Sequence, residues 1–260
     1  MSFKENIAII GSGNVGWHLA HTFHKAGHQV RYIVSRNVES ARDLENNIPG
    51  LEITSSLNLS LKNFSLVILA VPDAAIEEIA AKILIPETAI LIHTSGSYKL
   101  NRLDFTAFST GVFYPLQTFT RGRSIDFTEV PVLIEASDEV ALVKLKKLAE
   151  SISKKVLVYD SEMRQKIHIA AVFASNFTNH LLHLSKIILE KEKIDLTILK
   201  ELVFETIKKS FEIGPSAAQT GPAKRGDRET IENHLKILDY EPKIQEIYNM
   251  LTKNINQINN

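Results

Sequence analysis

Short apolar runs alternate with amphipathic stretches through the first 160 residues, and beyond them only the amphipathic kind continues. Residues 7–10, 29–34, 51–54, 66–71, 89–92, 112–113, 130–134 and 156–158 read as strands. The run Leu66-Val67-Ile68-Leu69-Ala70-Val71 lacks polar alternation, as expected of a central parallel strand covered on both faces. Helical periodicity fills residues 14–26, a polar stretch from about 38 to Pro49-Gly50, 74–83 and 138–153. Gly27 suits a helix stop, and Asn37 and Asp73 are placed to cap the helices that follow them. The alternation predicts an α/β fold with a doubly wound parallel sheet over residues 1–160. Residues 161–260 show helices only, at about 162–191, 195–212, 227–239 and 242–256, so an all-helical C-terminal domain is expected. The stretch 167–189 is apolar but carries His168, Asn176, Asn179, His180, His183 and Lys186, which predicts a buried helix and no membrane span. The polar end, 254–260, is expected to fray.

Composition narrows the class. Lys plus Arg and Asp plus Glu are 30 each, so a general nucleic-acid or membrane-surface binder is not expected. The absence of cysteine excludes disulfides, thiol catalysis and Cys-based zinc sites. The first six residues enter strand one without an apolar signal-peptide region, so a cytoplasmic location is expected.

Strand one runs into Gly11-Ser12-Gly13-Asn14-Val15-Gly16 and then a helix, which is the context a dinucleotide-binding turn requires. Gly11 permits the tight turn, Gly13 lets backbone approach a pyrophosphate, and Gly16 lets helix and strand pack closely. The free N–H groups of the first helical turn then face the phosphates. An acid at the end of strand two would bind the adenine ribose and indicate NAD. This chain has Val34-Ser35-Arg36-Asn37 there, and Ser35 with Arg36 suits a 2′-phosphate, so NADP(H) is expected. Val71 and Pro72, at the end of strand four, are expected to line the cofactor channel. Thr94 and Ser95, after strand five, are placed either to bind carboxamide or substrate or to serve turn chemistry alone.

These residues resemble the NADP-binding halves of pyrroline-5-carboxylate reductase, ketopantoate reductase and 6-phosphogluconate dehydrogenase-like proteins. Three motifs are similar to a family of Rossmann-like proteins whose helical C-terminal domain is of unknown function, the DUF2520 type. They are Tyr114-Pro115-Leu116-Gln117-Thr118-Phe119, the helix Ala170-Ala171-Val172-Phe173-Ala174-Ser175-Asn176-Phe177, and Thr220-Gly221-Pro222-Ala223-Lys224-Arg225-Gly226-Asp227 with His234-Leu235 after it. The resemblance implies an NADP-linked oxidoreductase fold and a homodimer through the helical domain. Hydroxy-acid dehydrogenases of this kind carry a lysine four residues before the asparagine; here Val172 precedes Asn176.

Hydride transfer also needs groups that fix the substrate and move a proton. Asn176, Ser95 and Gln117 are the polar candidates. Asn176, amid apolar neighbours, is read as a buried amide that either orients a carbonyl or satisfies neighbouring helix groups. Lys224, Arg225 and Arg228 surround a helix start that Asp227 is placed to cap, which suggests an anionic partner with Arg225 as substrate anchor; the alternative is that Arg225 merely pairs with an acid. His168 is either an acid/base group or structural, and Tyr114, placed in the loop after a strand, either donates a proton or covers the pocket. His18, His21, His24 and His28 drift around their helix, so no metal site is expected. Three functions stay open: an NADP(H)-dependent oxidoreductase on a small anionic carbonyl, imine or alcohol compound; a module that senses NADP(H) or a metabolite without turnover; and a deazaflavin (F420)-linked reductase.

Overall fold

Ile7 and Ile9 point to one side of strand β1 (Asn6–Ile10), Ala8 and Ile10 to the other, and all four are buried. Each pair belongs to a separate apolar cluster, so the sheet is covered on both faces, as a parallel strand of this composition requires. In the computed structural model, which describes residues 3–259, the other strands are β2 (Gln29–Val34), β3 (Glu52–Thr54), β4 (Leu66–Leu69), β5 (Ile90–His93), β6 (Thr110–Pro115), β7 (Val132–Ala136) and β8 (Val156–Val158). They form one sheet in the order β3-β2-β1-β4-β5-β6-β7-β8. The order reverses between β1 and β4, and a doubly wound sheet binds ligands at such a reversal.

The sheet departs from the expected all-parallel form at one pair. β6 and β7 are antiparallel, with Gly111 opposite Ala136 and Pro115 opposite Val132. Their connection holds a turn at Gly122 and a single 3₁₀ turn at Phe127–Glu129 but no crossover helix, and an antiparallel pair needs none. Tyr114 therefore lies inside β6, not in the loop after it.

Helix α1 (Asn14–Lys25) ends as expected at Gly27, whose φ of 88° lets His28 N–H donate to Phe23 O at 3.0 Å. The polar helix shrinks to a 3₁₀ turn (Glu39–Ala41) and α2 (Arg42–Asn47), and Asn37 does not cap it; its carbonyl instead accepts from Ser35 Oγ at 2.9 Å. Asp73 is the first residue of α3 (Asp73–Lys82) and not its cap, because Pro72 already takes the extended capping conformation; the Asp73 carboxylate accepts from Ser97 Oγ at 2.5 Å. Asp138 caps α4 (Glu139–Glu150) by accepting from Ala141 N–H at 2.9 Å.

From Ser161 onward the chain is helical: α5 (Ser161–Ala171), a π-helical stretch (Val172–Phe177), α6 (Thr178–Lys191), α7 (Lys200–Ile213), α8 (Pro215–Ala218), α9 (Pro222–Arg225), α10 (Arg228–Ile237) and α11 (Pro242–Asn259). By contact the chain divides into two compact units, Met1–Ser175 and Asn176–Asn260. The first helical residues thus pack with the sheet. In the second unit His234 Nδ1 and Tyr248 Oη, 2.8 Å apart, join α10 to α11. α11 continues through most of the tail expected to fray, and Asn260 lies outside the described residues. The segment read as a buried helix is exposed along much of its length: Phe177 is 47% and Leu181 41% exposed, and no residue of α6 or α7 is buried. No helix among the described residues is long and apolar enough to cross a membrane.

Candidate functional site

An open cavity of about 770 Å³ lies at the carboxyl ends of β1, β2 and β4, where the strand order reverses. Gly11, Ser12, Gly13, Ser35, Arg36, Val71 and Pro72, all expected from the sequence, line it. Asn14, Val15, Gly16 and Thr94 do not line it; they support the turn and the strand end beside it. Gly11 has a φ of 107°, and a Cβ on it would lie 2.3 Å from Ala70 O. A Cβ on Gly16 would lie 2.0 Å from Gly11 O. These two glycines let strand, turn and helix interpenetrate. Gly13 differs: a Cβ there would meet nothing within 4 Å, so the space above it is open for a ligand. Gly13 is also the N-cap of α1 and offers no side-chain partner to the first-turn N–H groups. The turn therefore presents free donors and positive helix-end potential to an anion, and a dinucleotide pyrophosphate fits these residues.

Ser12 Oγ and Ser35 Oγ are 2.9 Å apart, and Ser35 donates onward to Asn37 O. The two hydroxyls fix the strand-two loop against the glycine turn. Arg36 is exposed at the cavity rim. Glu78 and Lys82 form an ion pair at 2.6 Å on the opposite wall. Lys82, with a smaller contribution from Arg36, holds the Glu78 carboxyl below its ordinary range. The sequence reading missed this wall, although Ala75, Glu78, Ile79 and Lys82 follow the spacing of one helix face.

Asn14 and the connection after β6 brace the turn from behind. Asn14 Oδ1 accepts from Arg121 N–H at 3.2 Å, the Arg121 guanidinium pairs with the Asp43 carboxylate, and Trp17 Nε1 donates to Asp43 at 2.7 Å. His18 Nε2 lies 3.0 Å from Thr120 O, and His28 bridges Glu5 N–H and Ser151 Oγ. These histidines hold loops and strand ends together.

A second polar cluster occupies the ends of β5 and β6. Thr94 N–H donates to Leu69 O at 3.2 Å. Ser95 Oγ accepts from Ser97 N–H and Tyr98 N–H, so its lone pairs serve the turn and its proton is what it can offer a ligand. Tyr114 Oη and His168 Nδ1 are 2.9 Å apart. A Cβ on Gly96 would fall 2.6 Å from His168 Nδ1 and 2.8 Å from Tyr114 Cζ, so only glycine lets the loop pass beside this pair. Arg164, 1% exposed, pairs with the Glu135 carboxylate and donates to Tyr98 O at 2.6 Å. Its charge opposes the burial that raises the Tyr114 hydroxyl.

His93 is fully buried, its Nδ1 accepts from Ser95 N–H at 3.2 Å, and its Nε2 has no partner. Burial, aided by Arg164, lowers its pKa from 6.5 to about 3. Above pH 6.5 the imidazole is neutral in both the folded and unfolded chain. Below that, only the unfolded chain takes the proton, so stability falls until about pH 3. His93→Leu is expected to flatten the decline of Tm between pH 6 and 4, leaving the smaller slope of His28, which burial also lowers. An unchanged slope would show that His93 is not the buried neutral base.

The remaining candidates stand elsewhere. Gln117 is exposed and its Oε1 accepts from Thr118 N–H at 2.8 Å. Asn176 is exposed within the π-helical stretch and not buried, because no described residue covers this stretch: Phe173 and Phe177 beside it are exposed as well. Asp227 caps α10 as expected, accepting from Thr230 N–H at 3.1 Å. Arg225, at the end of α9, is mostly exposed and lies 3.9 Å from the Asp227 carboxylate, the acid pairing weighed as its alternative.

Residues 6–95 match the family described as NADP oxidoreductase, coenzyme F420-dependent, and residues 130–255 match a domain of unknown function, DUF2520. The chain is 37% identical to a Bacteroides fragilis protein provisionally assigned as an NADP oxidoreductase; the match covers 98% of each chain with a TM-score of 0.92. An Aspergillus terreus reductive aminase, solved with NADPH and ethyl levulinate, shares the fold at 14% identity, 98% and 93% coverage and a TM-score of 0.72. So does a Streptococcus pyogenes 1-pyrroline-5-carboxylate reductase, at 12% identity, 98% and 99% coverage and a TM-score of 0.63. No curated protein matches the chain.

Proposed function

This chain belongs to the DUF2520 family of Rossmann-type, NADP oxidoreductase-like proteins, and on that premise we propose that it binds NADP(H) and interconverts a small anionic carbonyl, imine or alcohol compound. The observation that carries the reading is the cavity at the strand reversal, where an uncapped helix start, an open Gly13 and Arg36 meet with no acid at the end of β2. Gly11 to Gly16 would hold the pyrophosphate, Ser35 and Arg36 the 2′-phosphate, and Val71 and Pro72 the channel wall. Thr94 and Ser95 stand at the next strand end. Asn176 and Arg225 are exposed, as groups that meet a ligand must be, and Arg225 is the anchor proposed for the substrate's anionic group.

A fluorescence titration with NADPH and NADH tests the cofactor. NADPH is expected to bind at least tenfold more tightly, and Arg36→Ala to remove most of that preference, since a charge-assisted phosphate contact contributes about 1.5–3 kcal/mol. Equal affinities in the wild type would count against Arg36 as the phosphate ligand. Binding of neither would remove the nucleotide reading. The name of the family matched by residues 6–95 supports a deazaflavin-linked alternative, which reduction of F420 by NADPH would reveal. Binding without turnover of any substrate would favour a sensor.

The helical unit is proposed to pair with a second copy of itself. Leu202, Phe204, Ile207 and Phe211 of α7 are 64%, 59%, 44% and 89% exposed, more apolar surface than one helix of a monomer ordinarily leaves to water. Sedimentation should give twice the 29.2 kDa chain mass, and Phe211→Glu should halve it. A monomeric wild type would end the idea.

A further inference from the structure

We infer that Tyr114 and His168 form the proton-donating pair of this oxidoreductase, the Tyr114 hydroxyl facing the substrate and the His168 imidazole recharging it. The inference rests on the NADP(H) reading above. Three observations carry it.

The first is position. Tyr114 lies near the carboxyl end of β6, beside β5, which in turn lies beside β4, whose end lines the nucleotide cavity. A dinucleotide with its pyrophosphate at the β1 turn and its adenosine over β2 must extend its other half toward β4, β5 and β6. The second is the hydrogen bond itself, 2.9 Å between Tyr114 Oη and His168 Nδ1, with the rings edge to face. The third is Gly96. A side chain at this position would overlap both rings, so the loop after β5 passes the pair with bare backbone. Both residues remain partly exposed, as a proton-exchanging pair requires.

The surroundings suit the role. Burial keeps the Tyr114 hydroxyl protonated, while Arg164 opposes that shift. The titratable groups around the pair are His93 on β5, neutral through burial; Glu135 on β7, ion-paired; and Arg164 on α5, which neutralises Glu135. With Glu135 and Arg164 paired to each other and His93 buried, His168 is the partner in hydrogen-bond contact with the hydroxyl.

When bound, a reduced nicotinamide would supply a hydride, hydrogen with two electrons, for the carbonyl or imine carbon. The π pair then rests on the substrate's oxygen or nitrogen, which needs one proton. Tyr114 Oη–H donates it, and the O–H bond breaks. His168, as imidazolium, donates its Nδ1 proton to Tyr114 Oη, which restores the phenol and leaves a neutral imidazole. Water returns a proton to His168. One proton and one hydride are consumed per turnover, so charge and atoms balance. Oxidation of an alcohol or amine runs the same transfers backward.

The test uses the whole protein with ¹³C-labelled histidine. The His168 Cε1 signal is assigned by its loss in His168→Gln. It is then titrated with NADP⁺ and with 2′-phospho-ADP-ribose, which carries the same phosphates but lacks nicotinamide. The His168 shift and pKa are expected to move with NADP⁺ and not with the fragment, and Tyr114→Phe should change that pKa at unaltered Tm. With whichever of glyoxylate, pyruvate and 1-pyrroline-2-carboxylate the wild type reduces, Tyr114→Phe should lower kcat about 100-fold with NADPH affinity unchanged. Binding of both ligands without a nicotinamide-dependent shift overturns the pair and spares the cofactor reading, as does undiminished kcat in Tyr114→Phe. Reduction of none of the three compounds also counts against the pair. Binding of neither ligand overturns the cofactor reading itself.

Discussion

Gly11→Ala is expected to lower the Tm of the sheet unit by roughly 10 °C, whereas Gly13→Ala, two residues on, should leave Tm unchanged and abolish most nucleotide affinity. The two glycines share a loop but face different neighbours. An alanine at position 11 would hold φ at 107° and drive its Cβ to 2.3 Å from the Ala70 carbonyl oxygen. Backbone strain of this kind costs about 1–3 kcal/mol, and overpacking against main chain roughly as much again. Ala70 cannot retreat, because its N–H donates to Ile10 O at 2.8 Å and it leads out of a fully buried strand. At position 13 φ is −69°, which any residue adopts, and a Cβ meets nothing within 4 Å. The alanine methyl would instead stand where the pyrophosphate is proposed to rest. Thermal melts and NADPH titrations of the two variants separate these effects. Loss of Tm in Gly13→Ala, or full affinity in it, would mean that the open space is not a phosphate cradle.

Removing one partner of the Arg164–Glu135 pair should be the largest electrostatic perturbation available in the molecule. Arg164 is 1% exposed and ties α5 to β7 through Glu135, to the 94–99 turn through Tyr98 O, and to its own helix start through Ser161 Oγ. Glu135→Gln leaves a buried guanidinium facing a neutral amide, and breaking a buried pair in this way costs about 3–5 kcal/mol. For a unit of this size that corresponds to a fall in Tm of roughly 10 °C. The double variant Glu135→Gln, Arg164→Met should recover part of the loss, because no unpaired charge then remains. A double variant less stable than Glu135→Gln would show that Arg164 acts through its packing and not its charge.

The apolar pattern made much of this fold legible. β2 and β8 fall at the expected residues, and the glycine turn sits between strand and helix as its spacing requires, because both depend on local sequence alone. The lining of the cavity at the strand reversal was legible for the same reason: it is built from one contiguous turn and the residues at the ends of neighbouring strands. Other features depend on what the chain meets. Nothing local distinguishes Asp73 as a cap from Asp73 as a first helical residue; Pro72 and the Ser97 hydroxyl decide it. Exposure of α6 and α7 could not be told from burial, since an apolar stripe looks the same whichever surface covers it. The Tyr114–His168 contact joins residues 54 positions apart, and no spacing rule relates them.

The antiparallel β6–β7 pair settles where the tail of this unit arrives. After β6 the chain turns back, β8 runs alongside β7, and α5 therefore starts at the edge opposite the cavity at the strand reversal. Its contacts record the climb: Ser161 and Arg164 meet Glu135, which stands opposite Val112, and His168, further along the helix, reaches Tyr114. Had β7 run parallel to β6, the helix would have begun beside the ligand edge and carried His168 away from it. One reversal of strand direction thus sets the polarity with which the last helix crosses the sheet. Any shortening of α5 would move its histidine down that path, so the length of this helix is as much a part of the site as the residues it delivers.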